Sequence, residues 1–208
     1  MKRFILILLL LTGFSPAAGA TANHSPARAS LETSISQIIS ILNEPGLKDP
    51  AQRDDLLLRA EKIIYAAFDF EEFSARTVGV KWNSFTGEQK TNFQDAFAAL
   101  LHQTYITRLE EYAGQAISFV SEKSSTAGDK VEILTTVPFN NATVPISYRM
   151  LEKNGHWKVY DVIIENLSLV QNYRNQFQEV LGKQPPDALV ELIHRKTQEL
   201  LAGNVKKQ

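Results

Sequence analysis

The chain has 208 residues, 44% of them hydrophobic and 22% charged, with 22 basic against 23 acidic side chains and no cysteine. A formal charge of −1 excludes a general nucleic-acid binder, because phosphate contacts need a basic excess. The missing cysteine excludes disulfides, thiolate metal sites, iron–sulfur clusters, cysteine nucleophiles and lipidation through an N-terminal cysteine.

The first segment reads as a secretory signal peptide. Lys2 and Arg3 precede the apolar run Phe4 to Leu11, and small residues follow to Ala18-Gly19-Ala20, an A-x-A cleavage site. The run is too short for a membrane-spanning helix, which needs about 20 residues. Cleavage after Ala20 removes two basic residues and takes the charge from −1 to −3. The expected product is exported and soluble, with 1–20 as signal peptide, 21–29 as flexible leader, 30–203 as one domain and 204–208 as tail.

Along that domain Leu31, Ile35, Ile38, Ile39 and Leu42 recur at helical spacing from a Ser30 cap to a stop at Pro45-Gly46. Asp49-Pro50 offers a cap and a first-turn proline for a second helix through Leu57, Ala60 and Ile64. Asp69 with Glu72 starts a short helix that closes near Gly79. Thr86-Gly87-Glu88-Gln89 is a capping-box pattern, and Phe93, Phe97, Leu100, Leu101, Tyr105 and Tyr112 then line one side of a helix ending at Gly114.

Beyond Gly114 the period becomes two, and 115–123, 130–138, 143–152 and 156–165 read as four strands. Asn154-Gly155 is a two-residue hairpin turn pairing Lys153 with His156. Parity then sets Met150 opposite Val159, Tyr148 opposite Asp161 and Ile146 opposite Ile163. If Asn140-Asn141 is also a two-residue turn, Val131, Ile133 and Val137 join the same apolar face. Glu132, Arg149, Lys158 and Tyr160 take the other. Ser168 caps a helix through Val170, Tyr173, Phe177 and Leu181, and Pro185-Pro186-Asp187 starts the last one. The order argues α+β, a four-stranded antiparallel meander packed against several helices.

No catalytic motif appears. The four histidines, His24, His102, His156 and His194, show no metal-ligand spacing, and nucleotide, dinucleotide and nucleophile-elbow patterns are absent. Neither a metal nor a cofactor is expected, and no enzyme activity. Asp161 is the one carboxylate that parity places on the apolar face. It reads either as a general base in a cavity, as in cone-shaped isomerases, or as a structural carboxylate paired with Tyr148 or a base such as Arg174.

Three segments together resemble the periplasmic MlaC, or toluene-tolerance, family: Phe68-Asp69-Phe70-Glu71-Glu72-Phe73 leading to Val78-Gly79-Val80-Lys81-Trp82; Thr86-Gly87-Glu88-Gln89 with the aromatic stripe; and Gly155 to Val162 followed by Glu165-Asn166-Leu167-Ser168 and Asn172-Tyr173-Arg174. The family pattern has E-G-V-S where this chain has Glu165 to Ser168, so Asn166 is expected at positive φ. The resemblance implies an NTF2-like cone and a monomeric periplasmic phospholipid carrier. Its expected partners are an inner-membrane ABC transporter complex and an outer-membrane lipoprotein–porin complex. It further implies acyl chains between sheet and helices, lined by Phe97, Leu101 and Tyr105, by Ile133, Ile146, Tyr148, Val159 and Ile163, and by Val170 and Tyr173. An exported carrier of another hydrophobic molecule, such as a sterol or quinone, is the alternative.

Overall fold

The computed structural model describes residues 24–111, 115–139 and 142–205. The segment read as a signal peptide, Tyr112, Gly114, the Asn140-Asn141 pair read as a turn and residues 206–208 lie outside the described residues. Among the described residues six α-helices and one antiparallel sheet run in the order α1 (Pro26–Leu42), α2 (Pro50–Ala67), α3 (Phe70–Val78), α4 (Gly87–Glu111), β1 (Ser118–Ser124), β2 (Lys130–Phe139), β3 (Ala142–Lys153), β4 (His156–Ile164), β5 (Leu167–Ser168), α5 (Leu169–Leu181) and α6 (Pro186–Val205). The class is α+β, with five strands in sequential order rather than four, because the two residues of β5 add to the outer side of β4.

Local signals account for most boundaries. The Asp49 side chain accepts from Ala51 N, Asp69 from Glu72 N, and Ser168 from Gln171 N, so three of the read caps close helix starts. Thr86 and Gln89 satisfy each other's amides at 3.1 Å, completing the capping box of α4. The first helix corrects its reading. Ser25 caps it by accepting from Arg28 N, and Pro26 occupies the first turn. Residues 26–29, taken for leader, are therefore helical, and Ala27 is fully buried against the sheet. At the far end α6 runs to Val205, into the residues read as tail.

The hairpin register holds through Met150↔Val159 and then departs from parity. A bulge makes Tyr160 an extra residue on β4, so Asp161 faces Arg149 rather than Tyr148, and Ile146 faces Ile164 rather than Ile163. Val162 and Ile164 take the apolar side, and Ile163 shares the face of Asp161. Between β2 and β3 the pairs Val131↔Met150, Ile133↔Tyr148 and Val137↔Val144 match the expected face. A second bulge leaves Val120 unpaired on β1, an edge strand whose residues are otherwise polar except Phe119. Asn166 adopts φ 68°, the backbone that the departure from E-G-V-S called for.

Two apolar clusters hold the domain. Ala27, Leu31 and Ile35 of α1 pack on Val131, Ile133, Met150, Val159 and Val162 of the sheet. The second cluster is helical and aromatic: Phe73, Phe93, Phe97, Tyr173 and Phe177 stack or meet edge to face at 4.9–5.6 Å, and Trp82 and Phe85 extend the group. Leu169 packs against both clusters. The long helix α4 thus lies against α3, α5 and α6, while α1 covers the sheet face that α4 was expected to meet.

Contacts with α5 fix the end of α3 and the turn after it. Arg174 Nε donates to Arg76 O at 2.8 Å, Gln178 Nε2 donates to Val78 O at 2.6 Å, and the Lys81 ammonium reaches Leu181 O. Gly79 allows this approach, with φ 70° and room for a Cβ only 3.2 Å from Gln178 Nε2. Within α3 the Ser74 hydroxyl is fully buried without a hydrogen-bond partner. Ser74→Ala removes that unpaired group at almost no change in volume. It is expected to raise stability by about 1–2 kcal/mol, read as an upward shift of the urea midpoint with unchanged slope.

Candidate functional site

The two helices α4 and α6 start side by side and run in the same direction. At their N-terminal ends Gln89 Nε2 donates to the Asp187 carboxylate at 3.2–3.3 Å. Toward the other ends a cleft of about 780 Å³ separates them, with α5 alongside. From α4 it is lined by Leu100, Thr104 and Tyr105. From α5 come Tyr173, Phe177 and Val180, and from α6 come Leu192, Ile193 and Leu200. The polar members, Asn172, Gln176, Glu179, Lys196 and Glu199, complete the lining.

The wall of this cleft is mostly hydrocarbon and aromatic ring. Its buried polar group is the Tyr173 hydroxyl, which bonds Thr104 and Tyr105. Burial pushes that hydroxyl well above the ordinary tyrosine range, with the neighbouring Tyr105 adding to the rise. It stays a neutral phenol at physiological pH. The Lys196 ammonium donates to Gln176 Oε1 at 3.4 Å, and the Glu179 carboxylate lies 3.8 Å from Lys183. These charged side chains are exposed at the rim.

Of the residues expected to line a cavity, Tyr105 and Tyr173 line this one. Phe97, Leu101 and Val170 belong to the helical cluster around it, and Phe97 is fully buried. Ile133, Ile146, Tyr148 and Val159 belong to the cluster beneath α1. Along the apolar side of β3 the end residues Val144 and Met150 are buried, but the central Ile146 and Tyr148 remain half-buried. Ile163 faces the other way, as the bulge requires. Phe177, Val180, Leu192, Ile193 and Leu200 were not expected in the lining. Their helical spacing is the same for a closed core as for a cleft wall, so periodicity alone does not separate the two.

Asp161 is a structural carboxylate, and its cation is Arg149. At 3% exposure it accepts Ser168 Oγ at 2.7 Å, Val170 N at 3.1 Å and Arg149 Nη1 at 3.3 Å. These three donors tie it to Arg149 of β3 and to the first turn of α5, so it binds that turn to the sheet instead of facing a cavity. Asp69 works similarly. Burial alone would raise its carboxyl, but donors from Glu72 N and the Lys153 ammonium outweigh that and hold it below the usual carboxylate range. His102 pairs with Glu61 at 2.6 Å, and among the described residues no group of three or more His, Cys, Asp or Glu is placed to hold a metal ion. A second hollow of about 280 Å³, between α1, α2 and the β3–β4 hairpin, is lined largely by polar groups such as Ser30, Ser34, Lys62 and Lys158.

The chain is similar to known proteins in both sequence and fold. The family model described as MlaC protein matches residues 32–195. The intermembrane phospholipid transport system binding protein MlaC of Haemophilus influenzae is 23% identical over 209 residues, covering 98% of this chain and 96% of the relative. The toluene tolerance protein ttg2D of Pseudomonas putida is 29% identical over 128 residues, 61% of this chain and 59% of the relative. Among solved structures, the phospholipid-binding protein from Ralstonia solanacearum in complex with a phospholipid superposes with a TM-score of 0.75 at 26% identity. That match covers 85% of this chain and 99% of the other.

Proposed function

The chain belongs to the MlaC family, and from that premise we propose that it is a phospholipid-binding transport protein that takes the lipid's acyl chains into the cleft between α4, α5 and α6. The observation that carries the assignment of the site is the cleft itself: about 780 Å³ of mostly apolar wall with polar groups gathered at its rim. That volume falls in the range of ligand pockets, about 300–1,000 Å³.

The energetics suit a carrier. Two acyl chains hold about 30 CH₂ groups, and exposing them to water costs roughly 20–25 kcal/mol at about 0.8 per CH₂. An apolar cleft offsets most of that without holding lipid more tightly than a bilayer core does, because both are similar solvents for hydrocarbon. Loading and release then need no covalent step. The signal-peptide pattern supports a periplasmic location, in which the protein ferries lipid between the two membranes. An inner-membrane ABC transporter complex and an outer-membrane lipoprotein–porin complex are the partners this reading assigns to it.

Extraction of lipid from the purified full chain, with native mass spectrometry, tests the proposal. Two-chain phospholipid at about one per protein is expected. A single-ring or single-chain ligand in its place, or no cargo after exposure to phospholipid vesicles, would overturn it.

A further inference from the structure

Asn154-Gly155 is the single Asn-Gly pair in the sequence, and it stands exposed at the tip of the β3–β4 hairpin. Both residues hold positive φ, 55° and 79°, and Lys153 pairs with His156 across them. An asparagine before glycine is chemically labile, because the glycine amide nitrogen has no side chain to shield it from the asparagine's own side-chain carbonyl carbon. Here that nitrogen is engaged: the Gly155 N–H donates to the carboxylate of Glu152, itself exposed on β3. Beside it, Lys153 donates to Asp69 at 2.9 Å and to Glu71 at 3.2 Å, which ties the hairpin to the start of α3.

We propose that Asn154 is a site of spontaneous deamidation and that the Glu152 carboxylate sets its rate. In the reaction the Gly155 nitrogen gives up its proton to hydroxide and bonds to Asn154 Cγ. The tetrahedral adduct takes up a proton at Nδ2, breaks the Cγ–Nδ2 bond and expels ammonia, leaving a five-membered succinimide. Water opens that ring at either carbonyl, giving aspartate or isoaspartate at position 154. The net change is amide plus water to carboxylate plus ammonium, with nothing oxidised or reduced. Glu152 opposes the first step twice. It holds the proton that must leave, and its negative charge disfavours the amide anion that would form beside it. The turn opposes the second step, because ring closure swings the Gly155 nitrogen under the Asn154 side chain, out of the backbone geometry that two positive-φ residues hold. Once formed, the product sets a negative charge next to Lys153, and its isoaspartyl form lengthens the main chain inside a two-residue turn.

The test incubates the full chain in warm, mildly alkaline buffer, folded and in urea, and follows the amide-to-acid mass change at each asparagine by peptide mass spectrometry. In urea, conversion at Asn154 is expected to outpace that at every other asparagine. Folded wild type is expected to convert about ten-fold more slowly than the unfolded chain. Glu152→Ala and Glu152→Gln alter an exposed side chain, and both are expected to melt like the wild type. Folded Glu152→Ala should convert about ten-fold faster than folded wild type, the effect of losing a hydrogen bond to a charged acceptor. Glu152→Gln, which keeps an acceptor without the charge, should fall between. Folded wild type that converts as fast as the unfolded chain, or folded variants that keep the wild-type rate, would overturn the protecting role of Glu152. No conversion at Asn154 in either state would overturn the site itself.

Discussion

Leu192→Asp is expected to empty the cleft of lipid while leaving the domain folded. Leu192 lines the cleft from α6 and belongs to neither of the two large buried clusters, so little core packing is lost. In the unloaded protein the new carboxylate remains hydrated in the open cleft. An entering acyl chain strips that hydration and offers no partner, and an unpaired buried charge costs several kcal/mol after relaxation. Since about 1.4 kcal/mol is a factor of ten, phospholipid recovered per protein should fall by about a hundred-fold or more. Leu192→Met, which keeps the wall apolar, should retain the cargo. A Leu192→Asp protein that melts like the wild type and still carries a full load would place the acyl chains elsewhere, the half-buried stretch of β3 around Ile146 and Tyr148 being the next surface to probe.

The largest stability effect is expected at Asp161. Asp161→Asn keeps the shape but replaces a charged acceptor of three donors with a neutral amide that can accept on one side only. The Val170 amide, the Ser168 hydroxyl and the Arg149 guanidinium then compete for one oxygen, and the start of α5 loosens from β4. Removing one partner of a buried, hydrogen-bonded charge costs about 3–5 kcal/mol. The half-exposed Arg149, which keeps Glu132 at 2.8 Å, moderates this toward the lower end. For a domain of this size the melting temperature should drop by about 6–12 °C. Lipid carried by the fraction that stays folded should be reduced far less than stability is. Unchanged stability would remove Asp161 from its structural role and reopen the catalytic reading of a carboxylate on this sheet.

How much of this was legible in the chain depended on whether the determinant was local. The caps at Asp49, Asp69, Thr86 and Ser168 rest on a side chain meeting an amide two or three residues away, and each does so in the structure. Ser25-Pro26 carries the same cap-and-proline signature as Asp49-Pro50 and was readable too, but the small polar residues around it were taken for leader. The hairpin at Asn154-Gly155 set the register correctly for its first four paired positions on either strand. The bulge at Tyr160 then reversed the faces of Asp161 and Ile163, and a bulge has no comparable residue signature when no glycine marks it. The cleft was least legible of all. It arises because two helices tied at Gln89 and Asp187 leave space between their far ends. That separation depends on tertiary packing, whereas the sequence period records only which side of a helix is apolar.

The unpaired Val120 has a consequence for how copies of this chain meet one another. β1 is an edge strand, and an edge with free amide and carbonyl groups is a template on which a second copy adds its own strand. A bulge in that strand, followed by Glu122 and Lys123, interrupts the regular ladder and sets charges along it. A strand approaching from another molecule would find the hydrogen-bond spacing broken at its third residue and would have to desolvate charge to continue. Accumulated at high concentration in one compartment, the chain is thereby kept from growing edge to edge into sheets.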